Sequence, residues 1–546
     1  MTNEVENITY VYGDVCLRKQ RRKRQKLLIL DLFLDYAKNS TLHGLRYITE
    51  KGLTTIEKLF WISTFVISVI FCSFLIKNVY VKWKTSPVIV TVSERLVSVG
   101  EVPFPSVTIC PQIKCKATVY NFSAETDSHS ADYYNESLHG ELAKYGDISM
   151  VCGFPYMAMK YHRNYTNASI IDNIDKVAPT SEDVFIFCYW RKSPANCTKM
   201  FKKVYTAEGL CFNMNGLAAE EMFRETVQMD YKYSERDELM NGWSLEEDYS
   251  STDKISFPER GSENSARPDL VVTLQNRAED SDALCNVVNS GYKIYIQHPA
   301  DFPQSSLYYY AALDRQVSSL AISFNVLSTS DTLENYAPET RQCYFPADRQ
   351  LYYFKIYTAK NCRAECLSNY TFKECGCVGY YMPHDNSSQI CAENKLWCME
   401  DAHDNMVNEE LRLELAKNAT GCRCLPACNS VEYDAEILKT EFHFKRFMRS
   451  IKEIYHIDFD NTTNYSKIEM YFKKPHFVSM RRSELFGLTD FLANIGGLLG
   501  VFLGFSFLSF IEILYFITLR VGCTLKRDLK DEKKTRTNSF KLEKEK

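Results

Sequence analysis

The stretch NIGGLLGVFLGFSFLSFIEI, residues 494–513, decides how this chain is read. It is apolar enough for lipid, yet it holds Gly496, Gly497, Gly500 and Gly504, the serines Ser506 and Ser509, and one acid, Glu512. A plain anchor needs none of these. The stretch lies inside a run of thirty-five residues, 485–519, in which only Asp490 and Glu512 are charged. As one helix the run would measure roughly 50 Å at ~1.5 Å per residue, against a hydrocarbon core of ~30 Å. It is therefore strongly tilted, broken, or helical well outside lipid.

A second apolar run lies near the other end. Residues 59–76 are eighteen residues without a charge, bracketed by Lys58 and Lys77, close to the ~20 that a crossing helix needs. A cleaved leader would be a short apolar stretch near the start with a small-residue cleavage site, whereas fifty-eight residues come first here. Residues 1–58 carry eleven Lys or Arg against seven acids, and residues 520–546 ten against five. Bases gather on the cytoplasmic side, so both termini are expected there, with a multi-pass chain in the plasma membrane. Of the overall charge of −4, this leaves −13 for residues 59–519. Such an exterior either concentrates cations near a membrane mouth or simply keeps the domain soluble.

Cysteines and sequons agree on the side. Seventeen of twenty cysteines lie between the runs, with only Cys16, Cys72 and Cys523 elsewhere, which fits an oxidising compartment. Ten N-x-S/T sequons share that region, at Asn121, Asn135, Asn164, Asn167, Asn196, Asn369, Asn386, Asn418, Asn461 and Asn464. Each is a weak signal for glycosylation alone; their density is not. Ten cysteines crowd into 343–428. Spacing does not settle their pairing, since ten allow about ninefold more connectivities than the ~105 of eight. Cys362 and Cys366 share one helix face, and a returning segment can set Cys424 and Cys422 against them. Zinc prefers C-x-x-C pairs and a reducing compartment, so disulfides are expected and no metal.

Between the spans, residues 88–110 (VIVTVSERLVSVGEVPFPSVTIC) alternate branched apolar and polar residues and predict strands around a Pro-bounded turn. The alternation in SLAISFNVL (319–327) and LYYFKIY (351–357) predicts further strands. Residues 121–260 are Tyr-rich, charged and without sustained period, and read as surface loops and short helices. Residues 400–420 read as a solvent-facing helix ending at an Asn-Ala-Thr-Gly stop. The fold class is a membrane protein with two transmembrane helices and a large disulfide-rich α+β ectodomain.

Several stretches then line up in order: LHG (42–44) before the first span, FPSVTIC (104–110) after it, GLCFNMN (209–215), the ten-cysteine block, and GLTDFLANIGGLLGVFLGFSFLSFIEI (487–513). Together they resemble the degenerin and epithelial sodium channel superfamily, most of all its insect pickpocket branch, from about residue 40 to 520. The resemblance implies a trimeric, voltage-independent, sodium-preferring cation channel, usually blocked by amiloride, with a β-sheet palm and β-ball and helical finger, thumb and knuckle. It implies a cytoplasmic N-terminus (1–58), transmembrane helices at 59–81 and 485–519, an extracellular domain over 82–484 with a thumb-like block at 343–428, and a basic cytoplasmic tail (520–546). Implied bridges are Cys110 with Cys211, Cys188 with Cys197, Cys343 with Cys428, Cys362 with Cys424, Cys366 with Cys422, Cys375 with Cys398, and Cys377 with Cys391. Cys115, Cys152 and Cys285 are left over; an odd one is free or bridges subunits.

Carried over residue by residue, the resemblance makes Gly504, Phe505 and Ser506 the selectivity filter, where carbonyls and a hydroxyl replace part of sodium's hydration shell. Phe505 departs from the small residue many relatives have there. Ala493, Asn494, Gly497, Gly500, Val501 and Glu512 would line the pore, and His43, Gly44 and Ala493 would gate it. Read from the residues alone, the small face Ala493–Gly497–Gly500–Gly504 fits close helix packing or a pore wall. Asp490, Asn494, Ser506, Ser509 and Glu512 demand water or a partner. For Glu512 that means the pore, pairing with a neighbouring helix, or snorkelling inward. Tyr80 and Trp83, just outside the first apolar run, read as interface-belt aromatics in preference to coupling residues between thumb and pore, and KRDLKDEKK (526–534) as a solvated run or a lipid contact.

Expected partners are related subunits in a homo- or heterotrimer, membrane lipid and an extracellular gating ligand of unknown identity. No nucleic acid or cofactor is expected, sodium being the permeant species. No H-E-x-x-H, G-x-S-x-G or Walker-type run is present, so an enzyme is not expected. The alternative is a non-conducting disulfide-rich receptor, or an auxiliary subunit silent without partners.

Overall fold

The computed structural model describes residues 31–50, 52–85, 88–131, 139–152, 163–227, 239, 243–245, 248–249, 256–262, 267–285, 290–303, 308–416, 422–455, 462–524, 526–527 and 530. The chain divides into two compact units, residues 90–483 and the segments flanking them. Asn135, Asn418, Asn461, the stop at 418–421 and most of both charged tails fall outside the described residues.

In the flanking unit, the first apolar run forms one helix, Thr55–Thr85, of thirty-one residues. Its start follows from the T-x-x-E at Thr54–Glu57. The Glu57 carboxylate accepts from the Thr54 N–H and hydroxyl at 2.7 and 2.8 Å, satisfying donors a helix start leaves open. Phe60, Ile67, Ile70, Phe71 and Phe74 are all more than half exposed. An apolar helix bare on most sides suits lipid. The helix begins four residues before the expected 59 and ends four after 81, so Tyr80 and Trp83, outside the apolar run 59–76, both lie within it. There they pack on Phe491, Trp83 stacked at 4.8 Å and Tyr80 at 6.5 Å between ring centroids.

The second run is broken. One helix covers Leu488–Leu503, and Phe507–Tyr515 begins another that continues through the wider turns of Phe516–Arg520 to residue 524. Before the first span, a helix over 31–39 and a short one, Leu45–Thr49, flank the segment that holds His43 and Gly44.

In the other unit the larger sheet runs Val88–Ser98, His476–Glu484, Gln316–Thr329, Asn464–Phe472, Leu270–Asn276, Phe185–Trp190 and Ser193–Ala195, with Ser430–Glu441 on the free edge of Gln316–Thr329. The strand Gln316–Thr329 is parallel to Asn464–Phe472 along its first half and to His476–Glu484 along its second. Alternating burial along Asn464–Phe472 gives the sheet one covered face. The smaller sheet orders Tyr310–Ala312, Tyr292–Gln297, Ser106–Pro111, Gly209–Met214 and Lys202–Thr206. SVTICP and GLCFNM are buried at every residue, and their polar side chains satisfy one another, the Asn213 amide donating to the hydroxyls of Ser106 and Thr108 at 2.8 and 2.9 Å. Phe104, Phe324 and Phe472 meet edge to face at 5.7 Å in the core.

Two expectations are corrected. Residues 121–260 are not only surface loops: they supply strands to both sheets, FIFCYW partly buried in the larger and GLCFNM buried throughout in the smaller, and segments largely apolar on both faces carry no period-2 signal. LYYFKIY makes no strand beyond one isolated bridge, Phe354 to Phe223. Its alternation records a pinned loop, in which the Tyr353 N–H donates to Glu365 at 2.8 Å and the Tyr357 hydroxyl to the Leu425 carbonyl at 2.6 Å.

The cysteine block is built on two packed helices, Ala359–Cys375 and Leu396–Ala416. The second starts ahead of the expected 400 and buries Met399, Ala402 and Met406 on one face. Bridges join Cys343–Cys428, Cys362–Cys424, Cys366–Cys422, Cys375–Cys398 and Cys377–Cys391, and elsewhere Cys110–Cys211 and Cys188–Cys197. Of the three cysteines left over, Cys152 bridges Cys285 and Cys115 is free and buried. Burial pushes the Cys115 thiol up to about 12, with Asp282 adding to the shift, so it is not a reactive thiol.

Candidate functional site

The break at Gly504–Ser506 follows from residue type. Gly504 sits at φ 64°, a left-handed position that ends helices and that glycine takes without strain. The Gly504 and Phe505 N–H groups donate back to the carbonyls of Gly500 and Leu499 at 2.9 and 3.2 Å. Ser506 opens the next helix: its hydroxyl accepts from the Ser509 N–H at 3.3 Å, and its own N–H donates to the Ser509 hydroxyl at 3.1 Å. One helix's closing residues thus run directly into the next one's opening residue, with Phe505 between, half-buried.

The segment before the first span docks on this break. The His43 N–H donates to the Leu503 carbonyl at 3.0 Å. The His43 ring lies so close to Gly504 that a Cβ there would fall 1.6 Å from Nδ1. Gly44 holds φ +90°, turning the chain where L side chains rarely go. Two residues earlier, the Thr41 hydroxyl lies 2.8 Å from the hydroxyl of Ser509 and donates to Glu512 at 2.9 Å, while the Thr41 N–H reaches Glu512 at 3.4 Å. Ser509 is buried. A further turn along, Arg520 pairs with Asp35 at 3.1 Å and the rings of Tyr36 and Phe516 meet at 5.3 Å.

Of the residues singled out from sequence, the structure brings together His43, Gly44, Gly504, Phe505, Ser506 and Glu512. Ala493, Asn494, Gly497, Gly500 and Val501 lie upstream on exposed helix, Val501 being 83% exposed. The Asn494 amide folds back onto the Asp490 carbonyl at 2.9 Å. A Cβ added at Gly496, Gly497 or Gly500 would meet nothing within 4 Å. Close packing inside one chain therefore does not explain these glycines. For Glu512, the partner observed is Thr41 of the pre-span segment rather than another helix. Thr41, Asp35 and Arg520 were missed by sequence reasoning, whereas Ser509, read there as needing water or a partner, finds Thr41. The signal for Thr41 was its place two residues before His43; the Asp35–Arg520 pair, 485 residues apart in sequence, has none.

In the ectodomain, sequon residues Asn121, Asn164, Asn167, Asn196, Asn369 and Asn386 are exposed, whereas Asn464 is half-buried and accepts from Arg315 at 3.1 Å.

Two long apolar stretches, one broken by a polar, capped kink that the segment before the first span covers, together with a disulfide-stapled β-rich ectodomain, define a membrane channel subunit. The chain belongs to the amiloride-sensitive sodium channel family, which it matches over residues 36–516. It is 30% identical over 515 residues to Pickpocket protein 28 of Drosophila melanogaster, covering 92% of this chain and 80% of that one. Sodium channel protein Nach of the same fly is 22% identical over 92% of this chain and 89% of its own. Acid-sensing ion channel 2 of Homo sapiens is 22% identical over 88% and 85%. These relatives agree with the pickpocket branch of the degenerin and epithelial sodium channel superfamily.

Proposed function

We propose that the chain is one subunit of a trimeric, voltage-independent, sodium-preferring cation channel of the plasma membrane, opened by an extracellular stimulus and blocked by amiloride. The observation that carries the reading is the capped break at Gly504–Ser506 with His43 seated against it. Non-helical backbone at membrane depth is tolerated where it lines water or is buried in protein, and three copies around an axis supply both. Gly504, Phe505 and Ser506 form the filter. Ala493, Gly497, Gly500 and Val501, bare within the chain, face the neighbouring subunits or the ion path above it. His43 and Gly44 gate the path by docking at or leaving the break, and Thr41 latches them to Glu512. Both termini are cytoplasmic, and the exposed sequons carry glycans.

Voltage clamp of cells expressing the chain alone and with related subunits tests this. Ala493→Val, a bulky side chain on the bare face, is expected to give a constitutive current that falls when sodium is replaced and when amiloride is added. A surface-expressed Ala493→Val chain that stays silent in every combination would favour the receptor reading.

A further inference from the structure

One ectodomain cavity carries charge that the fold itself does not use. It measures about 270 Å³ and lies between the loop 344–357, the residues Ala427–Asn429 beside the Cys343–Cys428 bridge, and Arg224. Arg224, Arg349 and Lys355 line it, and among the described residues no carboxylate does. Each cation is held by a backbone carbonyl: Arg224 by Phe354 at 3.1 Å, Arg349 by Arg423 at 2.7 Å, and Lys355 by Glu220 at 2.6 Å. Carbonyls position these groups without neutralising them. Three acids of the same region are engaged elsewhere, Asp348 with Arg341, Glu339 with Arg423 and Glu365 with the Tyr353 N–H.

The rest of the wall is of a different kind. Tyr344 and Tyr357 pack edge to face at 5.4 Å between ring centroids and form one aromatic wall, with the Tyr357 hydroxyl tied to Leu425 and the Arg349 guanidinium 5.6 Å from the Tyr344 ring. Asn429 accepts from the Thr329 N–H at 3.0 Å, which leaves its NH₂ as a donor. Three like charges line one largely apolar space without a carboxylate among the described residues, and an anion placed there is attracted to all three. The two arginines offer planar forks that suit carboxylate or phosphate oxygens. A bare inorganic ion would leave the rings uncovered, and the volume admits little more than one ring with its acid group.

We propose that this cavity binds a small organic anion, a carboxylate or phosphate carried on an aromatic ring. The acid group lies against Arg349 and Lys355, and the ring lies against the wall that the Tyr344–Tyr357 pair forms. Binding at this place is independent of whether the chain conducts.

The test is calorimetric titration of the purified full-length chain in detergent with phenyl phosphate, benzoate, inorganic phosphate and benzyl alcohol. Saturable binding of both aromatic anions at one site per chain is expected, tighter than inorganic phosphate, with none for the uncharged alcohol. Arg349→Gln and Lys355→Glu should each weaken phenyl phosphate by about tenfold or more, since each removes a charge-assisted bond. Lys355 is exposed, so its replacement leaves the core untouched. Asn429→Asp, which sets a negative charge in the wall, should abolish binding. The proposal is overturned if neither aromatic anion binds saturably, if benzyl alcohol binds as well as they do, or if Lys355→Glu binds phenyl phosphate as tightly as the parent.

Discussion

Replacing Gly504 by alanine should release the pre-span segment from the break, and two separable costs set the size of the effect. The first is local: alanine at φ 64° is strained by about 1 kcal/mol. The second depends on a partner. A Cβ 1.6 Å from His43 Nδ1 cannot be accommodated, so the ring must leave, and the His43–Leu503 hydrogen bond goes with it. Losing that bond and the ring's packing costs about 1–2 kcal/mol, which biases the docked state about five- to thirtyfold. The assay is a double-mutant cycle of Gly504→Ala with His43→Gly, read as basal current normalised to surface protein. In Gly504→Ala the current should shift by the sum of both costs. In the double variant only the strain should remain beyond the effect of His43→Gly, giving a coupling of about 1–2 kcal/mol between the two sites. Additive effects would refute the argument, because they would mean that the ring does not rest on Gly504.

Thr41→Val removes the hydroxyl shared with Ser509 and Glu512 and should shift the same current by about 1–2 kcal/mol, while Thr41→Ser should restore it; equal behaviour of the two would rule out the latch. Peptide mapping under non-reducing conditions should recover Cys152 linked to Cys285, with Cys115 alkylated only after denaturation; rapid labelling of Cys115 in the native chain would contradict its burial. His298 is held down to about 4 by burial, partly opposed by Asp301, while Lys360 lowers it further. It is neutral in the fold, so below about pH 6.5 the unfolded chain takes up a proton that the fold refuses, and stability falls by up to about 1.4 kcal/mol per pH unit until about pH 4. Tryptophan-fluorescence melts of the full chain in detergent should show this slope and its loss in His298→Gln; an unchanged slope would exclude His298 as its source.

Much of this architecture was legible because the signals were local. Two apolar runs, the density of cysteines and sequons, and the excess length of the second run were all countable, and the break falls where a glycine and a serine stand one residue apart. The limits have physical causes. FIFCYW and GLCFNM were read as loops because strands that are largely apolar on both faces show no period, while LYYFKIY kept the period without the strand because its tyrosines are fastened by hydrogen bonds from other segments. At the site, His43, Gly504 and Glu512 were named from motifs, but that Thr41 joins them is a fact of three dimensions. Nor could spacing assign Cys152 to Cys285, since 133 residues separate them.

The order of the bridges along the chain divides the ectodomain in a way their positions in space do not. In the block from Cys343 to Cys428 every loop sits wholly inside the next, like closed parentheses. No bridge there interlocks with another, so the five can close in any sequence without one loop barring the next. Cys110–Cys211 and Cys152–Cys285 interleave instead. In a chain made from its N-terminus, Cys152 must wait for Cys285 after Cys211 has already emerged, with the unpaired Cys115 thiol upstream throughout. By this order, erroneous pairing is expected to concentrate in the first three hundred residues rather than in the cysteine-dense block, despite its crowding.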